Sequence, residues 1–168
     1  MKKYRGFTLL ELVIYIGLLG TFLVVMSQVF IAILGTKLHS DSSAGVAQDG
    51  AYMLARLSYD IHRASRIVSP VLGDSDSTLI LEATESGAVR TYTYTLTNGL
   101  LMLSDGINSD RINGGGTTIS QFVVTRIGNS DTIPNAKDTL RIALTEESTY
   151  TRSSGTETMT FQTAIGLR

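Results

Sequence analysis

Residues 6–35 read GFTLLELVIYIGLLGTFLVVMSQVFIAILG, and Glu11 is the one charged side chain among them. From residue 12 to residue 35 the run is uncharged and longer than the about 20 residues a helix needs to cross a bilayer. Lys2, Lys3 and Arg5 precede it and the next charge is Lys37. That asymmetry places the basic end in the cytoplasm and exports the part of the chain beyond the run. A cleaved secretory signal peptide also starts with a basic segment, but its apolar core is about 7 to 15 residues and ends at a small-residue A-x-A site. Neither condition fits here, so the run is expected to be retained as a single-pass anchor.

The whole chain has 168 residues. After an anchor this leaves room for one globular domain of about 100 to 130 residues. Residues 1–6 carry three positive charges and no negative one, so without them the chain has 11 Lys and Arg against 15 Asp and Glu. A mildly acidic surface without a basic cluster in residues 69–168 argues against a nucleic-acid partner. With no cysteine, neither a disulfide nor a thiolate metal site can support the exported part, which must rest on its own core.

Residues 37–68 contain no proline, and Ala47, Ala51, Leu54, Leu57, Ile61, Ala64 and Val68 recur at three- and four-residue steps. This predicts an amphipathic helix continuing the apolar one, with its polar residues off that stripe. Gly45 and Gly50 weaken it by about 1 kcal/mol each, enough for a bend. Ser69-Pro70 is expected to close it, because the residue before proline is pushed out of the helical region. One helix over 7–68 would measure about 90 Å at 1.5 Å per residue, half in the membrane and half outside.

Beyond Pro70, short runs rich in Thr, Val, Ile and Tyr alternate with Gly, Asn, Asp and Ser. Residues 77–83, 89–96, 100–103, 119–127, 139–145 and 156–165 read as strands of a mainly antiparallel sheet. Asn98-Gly99 supplies a tight hairpin turn, and residues 105–116 and 128–138 read as long loops. The expected class is α+β: a leader at 1–6, a transmembrane helix at 7–36, an amphipathic continuation at 37–69 and a β-rich head at 70–168.

The order Gly6-Phe7-Thr8-Leu9-Leu10-Glu11, preceded by KKYR and leading into the apolar run, resembles the G-F-T-L-x-E signal of type IV prepilins and type II secretion pseudopilins. The resemblance implies a type IV pilin-like fold and cutting between Gly6 and Phe7 by a membrane-embedded prepilin peptidase. That enzyme would recognise the leader with Lys2, Lys3 and Arg5 and N-methylate Phe7. It also implies that Glu11 pairs with the terminal amine of a neighbouring subunit and sets the filament's axial step. Physical chemistry points the same way, since glycine leaves the backbone at position 6 open to a protease. A carboxylate in the bilayer costs about 2.5 to 3.5 kcal/mol at its centre and needs a partner, and the amine freed at Phe7 is positively charged near neutral pH.

The resemblance is strong over about the first 30 residues and architectural afterwards. Gln28 stands where many major pilins have a helix-breaking proline, and the C-terminal cysteine pair of many major pilins is missing. The texture of LARLSYDIHRAS, the Thr-rich meander and the closing TFQTAIGLR are most similar to the J class of minor pseudopilins and the W-type minor pilins. The partners implied are the prepilin peptidase, other pilins or pseudopilins and an inner-membrane assembly platform.

Other candidate chemistry is weaker. His39 and His62 have no ligand set around them. Ser58, Tyr59 and Asp60 beside His62 are triad-type residues, but neighbours on a helix point in different directions, so no enzyme is expected. Asp105, Asn108 and Asp110 offer oxygen ligands that a calcium ion could use, although their spacing is not that of an EF-hand and fits ordinary turn chemistry. The glycines at 114–116 match no nucleotide-binding pattern, and no cofactor is expected. Tyr92 and Tyr94 share a strand face. The functional expectation is a structural subunit of a filament, at or near its tip. The alternative is an exported binding module on the same anchor, recognising DNA, a secreted substrate or a surface.

Overall fold

The computed structural model describes residues 6, 8–128, 137–152 and 155–167. Helix α1 (Leu9–Arg63) is followed by strands β1 (Arg66–Ser69), β2 (Ser75–Asp76), β3 (Thr78–Glu85), β4 (Ala88–Thr97), β5 (Leu100–Ser104), β6 (Ser109–Arg111), β7 (Thr117–Ile127), β8 (Thr139–Arg152) and β9 (Gly155–Gly166). The chain divides into two compact units, Met1–Ser40 and Asp41–Arg168, and α1 contributes to both.

In the first unit α1 is long and apolar enough to cross a membrane, with a mean hydropathy of 2.4 over its most apolar stretch. Its large apolar side chains from Leu9 to Leu38 are exposed. A helix apolar all round, with those side chains exposed, is suited to lipid or to other helices. The hydroxyls within it are turned back onto the helix. Thr21 donates to the Leu18 carbonyl at 2.9 Å, Ser27 to Leu23 at 2.8 Å and Thr36 to Ala32 at 3.1 Å, so these hydroxyls need no water.

In the second unit the strands form two antiparallel sheets where the sequence pattern suggests one. The orders are β1-β3-β4-β5-β6 and β2-β7-β8-β9. Strand pattern reports which residues are half-buried but not which sheet they join, so this division is not legible in it. The hairpin turn at Asn98-Gly99 is as expected, with φ of 51° and 75°, and Ser86-Gly87 forms a second with 51° and 83°. Residues 105–116 are not all loop: β6 pairs with β5, Met102 facing Arg111. Most of the expected loop at 128–138 lies outside the described residues.

Two expectations about the helix need correction. It ends at Arg63 rather than at residue 68, because Arg66–Ser69 pairs with β3; the β-branched pair Ile67-Val68 gains more from a sheet edge than from another helical turn. Ser69-Pro70 closes that strand, and its peptide bond is cis. The buried stripe is Ser42, Val46, Gly50, Met53, Leu57, Asp60 and Ile61. Ala47 and Ala51 are exposed and Leu54 is half-buried. Alanines bury too little area to orient a helix, whereas Met53, Leu57 and Ile61 each contribute about 1.5 to 3 kcal/mol when covered.

Met53, Leu57 and Ile61 of that stripe meet Leu79, Leu81, Tyr94 and Leu101 of the first sheet and Phe122, Val124, Leu140, Ile142, Leu144 and Ile165 of the second in one core. Along β7 the inward phase changes from Thr117 and Ile119 to Phe122 and Val124. A bulge between Ile119 and Gln121 makes the change.

Asp60 lies inside this core with its side chain 1% exposed. It accepts from Arg56 Nε at 3.0 Å, from Arg63 Nη2 at 3.2 Å and from the Tyr94 hydroxyl. Burial and the adjacent Asp60 carboxylate push the Tyr94 phenol well above its ordinary pKa. Arg126 plays a comparable part elsewhere, binding Asp138 while donating to the carbonyls of Ile67 and Pro70.

Gly45 and Gly50 both lie within α1, so neither interrupts it, but they differ in surroundings. A Cβ on Gly45 would meet nothing within 4 Å, whereas one on Gly50 would fall inside contact distance of the Phe161 ring. Gly50 therefore lets β9 approach the helix. Gly45→Ala is expected to stabilise by up to about 1 kcal/mol. Gly50→Ala is expected to destabilise by about 1 to 3 kcal/mol, and chemical denaturation of the two variants would separate them.

Candidate processing and assembly site

Thr8 opens α1. Its carbonyl accepts from Leu12 N at 3.1 Å and its hydroxyl from Glu11 N at 3.2 Å. A threonine cap with glutamate three residues on is the capping-box spacing, and the acid also favours the positive end of the helix dipole. Glu11 is thus placed by the helix start itself. Its Oε1 accepts from the Tyr15 hydroxyl, one turn on, over a long 3.4 Å. Beside it lie Leu9, Leu10, Leu12 and Val13, all exposed.

Gly6 is exposed, and a Cβ there would meet nothing within 4 Å. Packing among the described residues therefore does not demand glycine there. Phe7 and the leader residues Lys2, Lys3 and Arg5 lie outside the described residues.

Of the remaining candidates, Asp105, Asn108 and Asp110 line one cleft together with Arg56, Arg63, Glu85 and Tyr92, and its two guanidinium groups do not suit a cation. Asp105 Oδ1 accepts from Ile107 N at 2.9 Å and Asn108 N at 2.7 Å, and these bonds hold its carboxyl below the ordinary range. It serves as the acceptor of an Asx turn. Asp110 is exposed on β6. Among the described residues no group of three or more His, Cys, Asp and Glu is arranged to hold a metal ion. His39 and His62 are exposed, and Asp60, beside His62 in sequence, is taken up by Arg56, Arg63 and Tyr94. Tyr92 and Tyr94 are buried rather than displayed, and Tyr92 donates to Glu85 at 2.7 Å.

Glu146 is a residue that sequence reasoning passes over. It is fully buried on β8 beside Asp49 of α1. Its signal is present in the strand's alternation: Leu140, Ile142, Leu144, Glu146 and Ser148 all face inward.

Compared with known proteins, residues 1–27 match the model of the prokaryotic N-terminal methylation motif. No curated protein and no solved structure matches the chain. The matched stretch contains Gly6, Phe7, Thr8 and Glu11, and it runs into the apolar part of α1. The chain therefore carries a prepilin-type N-terminal signal at the head of a membrane-capable helix, in an α+β pilin-like layout.

Proposed function

We propose that the chain is a minor pilin or pseudopilin: a precursor cut after Gly6, methylated on Phe7, held in the inner membrane by α1 with its β-rich unit exported, and drawn into a filament. Its partners are the prepilin peptidase, other pilins or pseudopilins and the assembly platform. The observation that carries the reading is the prepilin-type signal joined to a helix whose apolar surface is uncovered and bears a single acid, Glu11, at its capped start. An uncovered apolar helix needs lipid before assembly and neighbouring helices after it, and a lone carboxylate at that depth needs a cation. The amine of Phe7 on an adjacent subunit supplies one. The J-class or W-type character and a place near the filament tip rest on sequence texture. The alternative, a ligand-binding head, has less support, because the cleft beside Asp49 is acidic and hydroxyl-lined, unlike a nucleic-acid groove.

Mass analysis of the intact chain purified from membranes tests the processing step. The expected product begins at Phe7 and carries one methyl group. A chain that begins downstream of residue 35 would make it a secretory-signal substrate, and an uncut chain would remove the prepilin reading.

A further inference from the structure

Glu146 is fully buried, and neither of its carboxyl oxygens has a hydrogen-bond donor among the described residues. Its side chain meets Asp49 from α1 and Thr117 from β7. Opposite it across the strands stand Ile119 and Met159, which bring no charge. Asp49 already accepts from Gly114 N at 2.5 Å and from the Thr117 hydroxyl. The cleft of about 360 Å³ beside them is lined by Asp41, Gln48, Tyr52, Ser148 and Tyr150 among others and, among the described residues, by no basic one. Arg111, close by, is committed to Asn113 and to the carbonyls of Gly114 and Thr117.

Two carboxylates in contact, one wholly out of water, cannot both stay charged without a compensating cation. A proton is the smallest solution and fits the geometry: a protonated Glu146 becomes the donor that its oxygens lack, and Asp49 has acceptor capacity left. We propose that Glu146 is held protonated and donates to Asp49, and that this acid pair is a pH-sensitive fastener holding the Asp41–Asp49 stretch of α1 to β7, β8 and the turn at Gly114. Burial, with the Asp49 carboxyl beside it, pushes Glu146 up to about 8, in agreement with the arrangement.

A carboxyl whose folded pKa is raised binds its proton more tightly when folded. The stabilisation is complete below the ordinary glutamate value of about 4.3 and is lost as pH rises through about 8. Above that, the pair carries two charges and the fastener opens. It would do so independently of any filament role for the anchor.

The test uses the full chain in non-ionic detergent micelles, melted by circular dichroism at about pH 6 and about pH 9. Hydrogen exchange of peptides covering residues 41–50 is measured in parallel. The wild-type melting temperature is expected to fall by roughly 5 to 10 °C between the two, with faster exchange in those peptides at the higher pH after correction for intrinsic rates. Glu146→Gln keeps a donor at that position without titrating and should remove most of the fall. Asp49→Asn removes the neighbouring charge but leaves Glu146 buried and titrating, so it should reduce the fall in part, and serves if the first variant folds poorly. An equal fall in wild type and both variants, or no fall in wild type, would overturn the proposal. So would calcium chloride at about 1 mM restoring the wild-type melt at high pH, since the site would then take a metal ion in place of the proton.

Discussion

Charge reversal at Glu11 is expected to remove the chain from filaments while leaving leader removal and membrane insertion in place. On the proposed filament arrangement, Glu11→Lys would set a second cation beside the amine of the adjacent subunit in a medium that screens poorly, where like charges repel strongly. Glu11→Ala removes the pair without adding repulsion, and should lower incorporation into sheared filaments at least about tenfold, the equivalent of about 1.4 kcal/mol. Insertion should not suffer, because an intramembrane acid costs about 2.5 to 3.5 kcal/mol and alanine lifts that cost. The acid also stands in the first turn of α1, so the loss of its interaction with the helix dipole, about 0.3 to 1 kcal/mol, accompanies the change. That is too little to undo a helix that runs from Leu9 to Arg63. Glu11→Gln keeps the side-chain length and loses only the charge, so it isolates the electrostatic part of the effect from the lost bulk. Immunoblots of membrane and sheared fractions give the readout. Normal incorporation of the Lys variant would remove Glu11 from any role in register, and a block at cleavage alone would make it a peptidase-recognition residue.

Asp60→Ala should be the most destabilising single change in the second unit, costing about 3 kcal/mol. The side chain is 1% exposed, whereas its partners Arg56 and Arg63 are 37% and 31% exposed. Both guanidinium groups are partly exposed, and Arg63 keeps Glu85 at 2.6 Å. The hydroxyl of Tyr94 has no such outlet, since that residue is fully buried, and a buried donor left without a partner costs about 1 to 3 kcal/mol. The methylene and carboxyl volume lost from the core adds to this. Tyr94→Phe in the same background removes the stranded hydroxyl, so the double variant should be more stable than the two single losses added together. Denaturant unfolding of the four proteins measures the coupling. If Asp60→Ala lies within about 0.5 kcal/mol of wild type, the apolar stripe alone docks the helix.

Legibility in the sequence tracks the range of the interactions. The anchor, the signal around Gly6 and Glu11, and the Asn98-Gly99 hairpin are local, because each depends on residues a few positions apart. The boundary at Arg63 is hidden because Arg66–Ser69 becomes a strand only through its pairing with β3. Ala47 and Ala51 fit the helical period as well as Val46 and Met53 do, and the sheets alone settle which side is covered. Strand β8 runs past residue 145 into polar residues that break the expected pattern, although Glu146 and Ser148 continue its inward face.

The membrane-capable helix, the prepilin-type signal at its start and the α+β class with antiparallel strands are thus written in the sequence alone. They rest on apolar length, charge placement and period, which are properties of neighbouring residues. The division of the strands into two sheets, the role of Asp60 as a buried fastener rather than a surface charge, and the meeting of Asp49 with Glu146 belong to long-range packing. Each depends on residues far apart in the chain being brought together in low dielectric. An acid's meaning changes there with the neighbour it is given, and no window along the sequence contains that neighbour.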